Sequence, residues 1–332
     1  MGREAPSGRS WRLLPPTSAL LPREALDERR CREEVGVGTL AEAAEAYRTE
    51  PECPGCGARG AWRDGSTAAG VPRWRCRCCG RRFNSLTGTV LEYCRKPLPV
   101  WVSFIRPMRH NVPVECAAEL CGVTHKTAFE WRHRVLATVS GHRDRIVLRD
   151  TVWVDETYVN DTDLSKGYGQ AGKRGPSRQK LCICVAIDIH KDPVAVACGH
   201  GKPGSARVRR AMGGMIEPGS LLIHVPERAH GTLVREGGLE NGAHRTDVND
   251  PAYLERMEMV NDPCSWLKQY TWRFTGMSPR NLQAHLDWWV YLFMVNQARD
   301  RWDPTARVVR HIVMAGETYR RLGWGHHCYL NC

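Results

Sequence analysis

The chain has 332 residues, fifteen cysteines and a formal net charge of +12. That length leaves room for two or three domains. Cysteines spread over so long a chain do not make a disulfide scaffold, and thiolates used as metal ligands suit a reducing cytoplasm. The longest apolar runs, Leu181–Ile187 and Trp288–Val295, fall short of membrane length, and no signal peptide is evident, so membrane and secreted classes are set aside. The charge is uneven. Residues 51–150 hold 17 Lys and Arg against 8 Asp and Glu, a balance of +9, whereas residues 1–50 come to −1 and residues 151–332 to +4. A basic block of this kind is the footprint of a phosphate-backbone partner, with a merely solvated charged surface as the plainer reading.

In chain order, residues 1–36, with Pro15-Pro16 and mixed charges, read as poorly ordered or only locally helical. Thr39 to Tyr47 is a short Ala/Glu-rich helix. Cys53-Pro-Gly-Cys56-Gly and Cys76-Arg-Cys-Cys79-Gly follow, with nineteen residues between the pairs. Two such knuckles suit one tetrahedral zinc site on Cys53, Cys56, Cys76 and Cys79, with Cys78 outside it. The expected unit is a zinc ribbon of two β-hairpins, its Trp62, Trp74 and Phe83 covering a small metal-centred core. Scattered buried cysteines are the competing explanation.

From Pro99 to Val139 the pattern turns helical, and Val114 to Leu136 suits a helix-turn-helix. Ala118 and Gly122 mark the turn, and Ala117, Cys121, Val123, Ala128 and Trp131 the shared apolar faces. Thr124 can cap the second helix, which then exposes His125, Lys126, Arg132 and His133; these four and Thr124 are the candidate DNA contacts.

The second half opens with Thr151 to Val159, an apolar strand carrying Asp155, a carboxylate costly to bury without a cation. A basic glycine-rich loop spans 167–180, then strands Leu181–Ile189 and Pro193–Ala197, an amphipathic stretch Ala206–Met215, and a strand Ser220–Val225. A helix Asn261–Tyr270 puts Asn261 and Lys268 two turns apart on one face, and Ser278-Pro279 opens a long helix with an apolar face. The order of parts is α/β, of the ribonuclease H (retroviral-integrase) type, preceded by the zinc ribbon and the helix-turn-helix.

Over about residues 38–300 this arrangement resembles bacterial insertion-sequence transposases of family fifteen-ninety-five, the ISXO-two-like group. The resemblance rests on CPGCG and CRCCGRRF, LTGTV at 86–90, the helix-turn-helix, VWVDETYV, GHGKPGS at 199–205, SLLIHV and HGTLV between 220 and 234, and TGMSPRNLQAHLDW at 275–288. It implies a triad of two Asp and a Glu or Asn, with a Lys seven residues on. Asp155 matches the first member, Asn261 the third in its Asn form, and Lys268 the lysine. The second acid is absent: Val225 stands there, five residues before His230-Gly231, with Glu227 or Glu156 as conceivable substitutes.

The resemblance implies Mg²⁺ or Mn²⁺ at Asp155 and Asn261, Zn²⁺ in the ribbon, and cleavage and joining of double-stranded DNA at terminal inverted repeats. It also implies a homo-oligomer on DNA in a cytoplasmic, nucleoid-associated setting. The expected division is an extension over 1–38, a ribbon over 39–84, a helix-turn-helix region over 85–145, a catalytic domain over 146–300 and a tail over 301–332. Two other readings stand beside it: a DNA-binding regulator built on a decayed transposase, and a stand-alone nuclease of the same fold.

Overall fold

The computed structural model describes residues 26–49, 52–161, 180–244, 247, 249–274, 278–298 and 302–315. Most of the glycine-rich loop and residues 275–277 of the TGMSPR motif lie outside the described residues.

Order begins earlier than composition suggests. Helix α1, Glu28–Val35, starts where the Asp27 carboxylate accepts from Arg30 N at 2.8 Å, and ends at Gly36 with φ 82°. Cys31 and Val35, one turn apart, are buried in the main core, so the extension expected to lack order over 1–38 is packed from Glu28 onward. Helix α2, Leu40–Tyr47, is fixed by a reciprocal cap. Thr39 Oγ1 accepts from Glu42 N at 3.1 Å, and the Glu42 carboxylate accepts from Gly38 N at 2.8 Å.

The cysteine knuckles flank a three-stranded antiparallel sheet of β1 (Ala61–Ser66), β2 (Pro72–Cys76) and β3 (Arg82–Asn84), in that order. Three helices follow: α3 (Leu98–Arg109), α4 (Val114–Cys121) and α5 (His125–Ala137). Gly122, at φ 61°, makes the turn between α4 and α5 in the left-handed conformation that costs glycine least. Trp101 of α3 stacks on Trp131 of α5 at 3.8 Å between ring centres, which locks the helices together.

The second sheet has the order β6-β5-β4-β7-β8, built from β4 (Thr151–Asn160), β5 (Lys180–Asp188), β6 (Pro193–His200), β7 (Leu221–His224) and β8 (Glu240–Ala243). β4, β5 and β6 are antiparallel, whereas β7 and β8 run parallel to β4. Strand β5 is buried along nearly its whole length, which explains its unbroken apolar run. Helices α6 (Ser205–Met212) and α7 (Arg228–Gly237) cover one face. Helices α8 (Pro251–Trp272) and α9 (Leu282–Gln297) cover the other, and α10 (Pro304–Met314) packs on α1, α2 and α3. The tail expected from residue 301 therefore includes a helix that belongs to the core.

Two further boundaries differ from expectation. Helix α8 begins at Pro251, where Asp250 caps it, so Asn261 lies mid-helix and is no N-cap. Ser278 makes no side-chain cap, and a short 3₁₀ turn over Pro279–Asn281 precedes α9. No described helix is long and apolar enough to cross a membrane.

Candidate functional site

The cysteine knuckles converge. The Sγ atoms of Cys53 and Cys79 are 3.6 Å apart, as are those of Cys56 and Cys76. All four sulfurs lie within 4.8 Å of one another, and among the described residues no other group of three or more His, Cys, Asp or Glu ligands does so. Tetrahedral thiolates about 2.3 Å from a zinc ion sit about 3.8 Å from each other, so the quartet can hold a metal ion such as zinc. Cys78 is exposed and outside the group. Phe83 covers the sulfurs and Trp74 packs beside it, its Nε1 donating to Ser85 Oγ at 2.7 Å. Trp62, expected over this core, is exposed, with the Arg77 guanidinium 5.8 Å from its ring centre.

On α5, Thr124 Oγ1 accepts from Thr127 N at 3.2 Å and caps the helix. His125 and Lys126 are exposed, and His125 Nε2 lies 3.1 Å from Glu115. His133 is half-buried and packs edge-on against Phe129, 4.4 Å between ring centres. Arg132, expected on the exposed face, is instead buried at 6 % exposure. It stands one turn after buried Ala128, so its guanidinium points inward, donating to the Val112 carbonyl and lying 5.5 Å from the Phe274 ring centre. Burial lowers its pKa from the ordinary arginine range.

Asp155 lies near the middle of β4, the central strand. Trp153 is the last residue of β4 to pair with the parallel strand β7, opposite Ile223, so Asp155 and Val225 each stand two residues beyond the end of that ladder, Asp155 on the same face of β4 as Trp153. That face is covered by α8: Trp153 Nε1 donates to the Arg256 carbonyl at 2.8 Å, and Cys264 and Lys268 face Asp155. Burial pushes the Asp155 carboxyl up to about 6. Its own backbone contacts, His230 and Lys268 pull it back, and the Glu156 charge adds to the rise. Asn261 is exposed on the same helix, two turns before Lys268.

The two substitute acids are committed elsewhere. Glu156 points to the opposite face of the sheet, where His230 Nε2 lies 2.9 Å from its carboxylate. Glu227 accepts from Lys202 Nζ at 2.9 Å. The described side chains around Asp155 thus offer a single carboxylate. A pair of Mg²⁺ or Mn²⁺ ions needs several hard oxygen ligands, so the residues present fit such a pair poorly.

Behind Val225 sits a polar network that the sequence pattern did not reveal. Its carbonyl accepts from Nδ1 of His224 at 2.7 Å and of His230 at 3.3 Å, while His224 Nε2 reaches Asn241 Oδ1 at 3.0 Å. The side chains of His230 and Glu156 are only 1 % and 9 % exposed. Burial alone would lower the His230 pKa, but the Glu156 hydrogen bond and charge outweigh it and raise it. Removing one member strands the other. His230→Ala is expected to cost about 3–5 kcal/mol of unfolding free energy, because it leaves a buried carboxylate unpaired. His230→Ala combined with Glu156→Leu should recover most of that. Urea unfolding measures both, and a loss below about 1 kcal/mol for the single variant would remove the network's structural role.

Over 152 residues the chain is 28 % identical to an uncharacterized protein in transposable element ISH50 of Halobacterium salinarum, a stretch covering 43 % of this chain and 51 % of that protein. The chain thus spans about half the length of the relative it matches. A chain in a pre-cleavage Mos1 transpososome is similar at 11 % identity and a TM-score of 0.22, over 62 % of this chain and 75 % of that one, too low a likeness to say anything of the fold. No protein-family model matches.

Proposed function

We propose that the chain is an insertion-sequence transposase by descent that binds double-stranded DNA at terminal inverted repeats and has lost most of its cleavage activity. The observation that carries this reading is that Lys268 of α8 faces Asp155 of β4, while Val225 directly follows β7, the parallel neighbour of β4, where the ISXO-two-like family carries its second acid. The sheet order, with three antiparallel strands followed by two parallel ones, supports the reading of a ribonuclease H-like domain. The cysteine quartet serves as a zinc ribbon, and α4 and α5 as a helix-turn-helix. The likeness to a protein of a transposable element agrees with this reading.

When bound beside two acids, a pair of Mg²⁺ or Mn²⁺ ions supplies charge neutralisation at the attacking and leaving oxygens of a phosphodiester. In this chain Asp155 is the one carboxylate of such a set among the described side chains, and Lys268 faces it from α8, the helix that also carries the exposed Asn261. Val225 supplies no lone pair. The absent acid also favours a second reading, a DNA-binding regulator in which the catalytic fold serves only as scaffold. Both place the protein in the cytoplasm on the nucleoid, as a homo-oligomer on DNA.

The test is DNA binding by the full chain, read by fluorescence anisotropy on duplexes drawn from the gene's own flanks. Affinity should fall steeply with salt, and Lys126→Ala should weaken binding and reduce the log–log salt slope by about 1. Arg132→Ala should lower stability and leave sequence preference unchanged, since the side chain faces inward. A salt-independent affinity, or none, would reject the DNA-binding reading. Short inverted repeats flanking the gene favour the transposase over the regulator.

A further inference from the structure

Helix α8 ends on a tryptophan that folding does not explain. Trp272 is 79 % exposed, the most exposed of the large apolar side chains described. A solvated tryptophan leaves a large apolar surface in water, so a position that keeps one invites a partner. Trp272 is the last residue of α8 and stands one turn, about 6 Å, beyond Lys268. Asn261, Ser265, Lys268 and Trp272 follow the spacing of one helical stripe, and all four are exposed. The indole therefore continues the line of polar side chains that leads past Asp155.

The surroundings specify the chemistry. A cleft of about 440 Å³ beside the indole is lined by Tyr158, Asn160, Lys180, Lys268 and Phe274 among others. Among the described residues, two lysines and no carboxylate border it. An aromatic plane flanked by ammonium groups is complementary to a nucleotide, with a base to stack and a phosphate to pair. A base inside a duplex has both faces covered by its neighbours, so the indole can take only a base that has left the stack.

Resting on the DNA reading above, we propose that Trp272 is a stacking platform for one unpaired DNA base next to the strand held at Asp155, with Lys268 and Lys180 on the adjoining phosphates. The site would accept the frayed or extruded base at an element end. Stacking is sequence-tolerant, because every base offers a π-face. It would thus supply affinity for opened DNA and no sequence preference.

The experiment compares a blunt duplex with the same duplex carrying a short oligothymidine tail, each with the full chain. A second tailed probe carries 2-aminopurine as its first unpaired base. The wild-type chain should prefer the tailed duplex by about ten-fold, within the range of one base–aromatic stack. Trp272→Ala should abolish that preference and leave blunt-duplex affinity unchanged, while Trp272→Phe keeps most of it. The 2-aminopurine emission should be quenched by the wild-type chain and not by Trp272→Ala. Since the side chain is exposed, thermal unfolding of the variants should match the wild type. A retained tail preference in Trp272→Ala, or no preference in a wild-type chain that binds the blunt duplex, overturns the proposal. A wild-type chain that binds neither probe overturns the DNA reading, and this one with it.

Discussion

Stripping the metal from the cysteine quartet is expected to unfold residues 52–84 while leaving the α/β core folded. The apolar cluster around the sulfurs consists of Cys53, Cys76 and Phe83, with Ala58, Ala61 and Trp74 at its margin, and is separate from the main core, to which this segment adds only Val71. So small an interior cannot offset the conformational entropy of about thirty ordered residues. Thiolate–zinc bonds would supply the difference, with apparent binding free energies of about 10–16 kcal/mol in comparable small domains near neutral pH. Purified chain should contain one zinc ion, and chelation or Cys56→Ser/Cys79→Ser should release it. Both should also shift Trp74 fluorescence and open the segment to proteolysis. The far-ultraviolet signal of the helices should change little. Undiminished zinc in the double variant would defeat the assignment of these four ligands.

The features legible in the sequence share a cause: each is a short-range pattern. The two Cys-x-x-Cys-Gly knuckles declare a metal site because both halves are local and only their meeting is tertiary. Strands β4, β5 and β7 were readable as apolar runs because a sheet covered on both faces needs them. The misses involve partners distant in the chain or a phase error of one residue. Arg132 follows Trp131, and a helical wheel puts either at the edge of the buried stripe; Val112 and Phe274 draw the guanidinium inside. The first half of α8 carries mostly exposed residues around buried Met257 and Val260, with proline at 251 and 263, and so gives little helical periodicity. The Glu156–His230 pair joins residues 74 positions apart, and nothing in either segment names the other. Strand β8, with the sequence Glu-Asn-Gly-Ala, exists because β7 offers it a parallel edge, not because its residues favour strands.

Val225→Asp is expected to raise Mg²⁺-dependent nicking of element ends by about a thousand-fold or more, equivalent to ~4 kcal/mol of transition-state stabilisation. Val225 directly follows β7, the parallel neighbour of β4, which sets the new carboxylate just past the point where the two strands part, as Asp155 is. The Val225 carbonyl stays anchored by His224 and His230, which fixes where the side chain projects. Two carboxylates sharing one metal site repel each other, and Asp155 is already pushed up to about 6 by burial. The variant should therefore be less stable than the parent without divalent ions and gain thermal stability on adding Mg²⁺, a response the parent should lack. This readout separates a rebuilt ligand set from a damaged fold even if cleavage fails to return.

The comparison needs the chain as given, Val225→Asp, and Val225→Asp/Asp155→Ala, on a labelled duplex carrying an element end. Activity should appear only in the second. Robust cleavage by the unmodified chain would reject the loss of function; Glu227→Gln would then show whether that side chain leaves Lys202 to act as ligand. Neither Mg²⁺ stabilisation nor cleavage in Val225→Asp would mean that Asp155 and position 225 do not share a metal site, and the transposase register would fall with it.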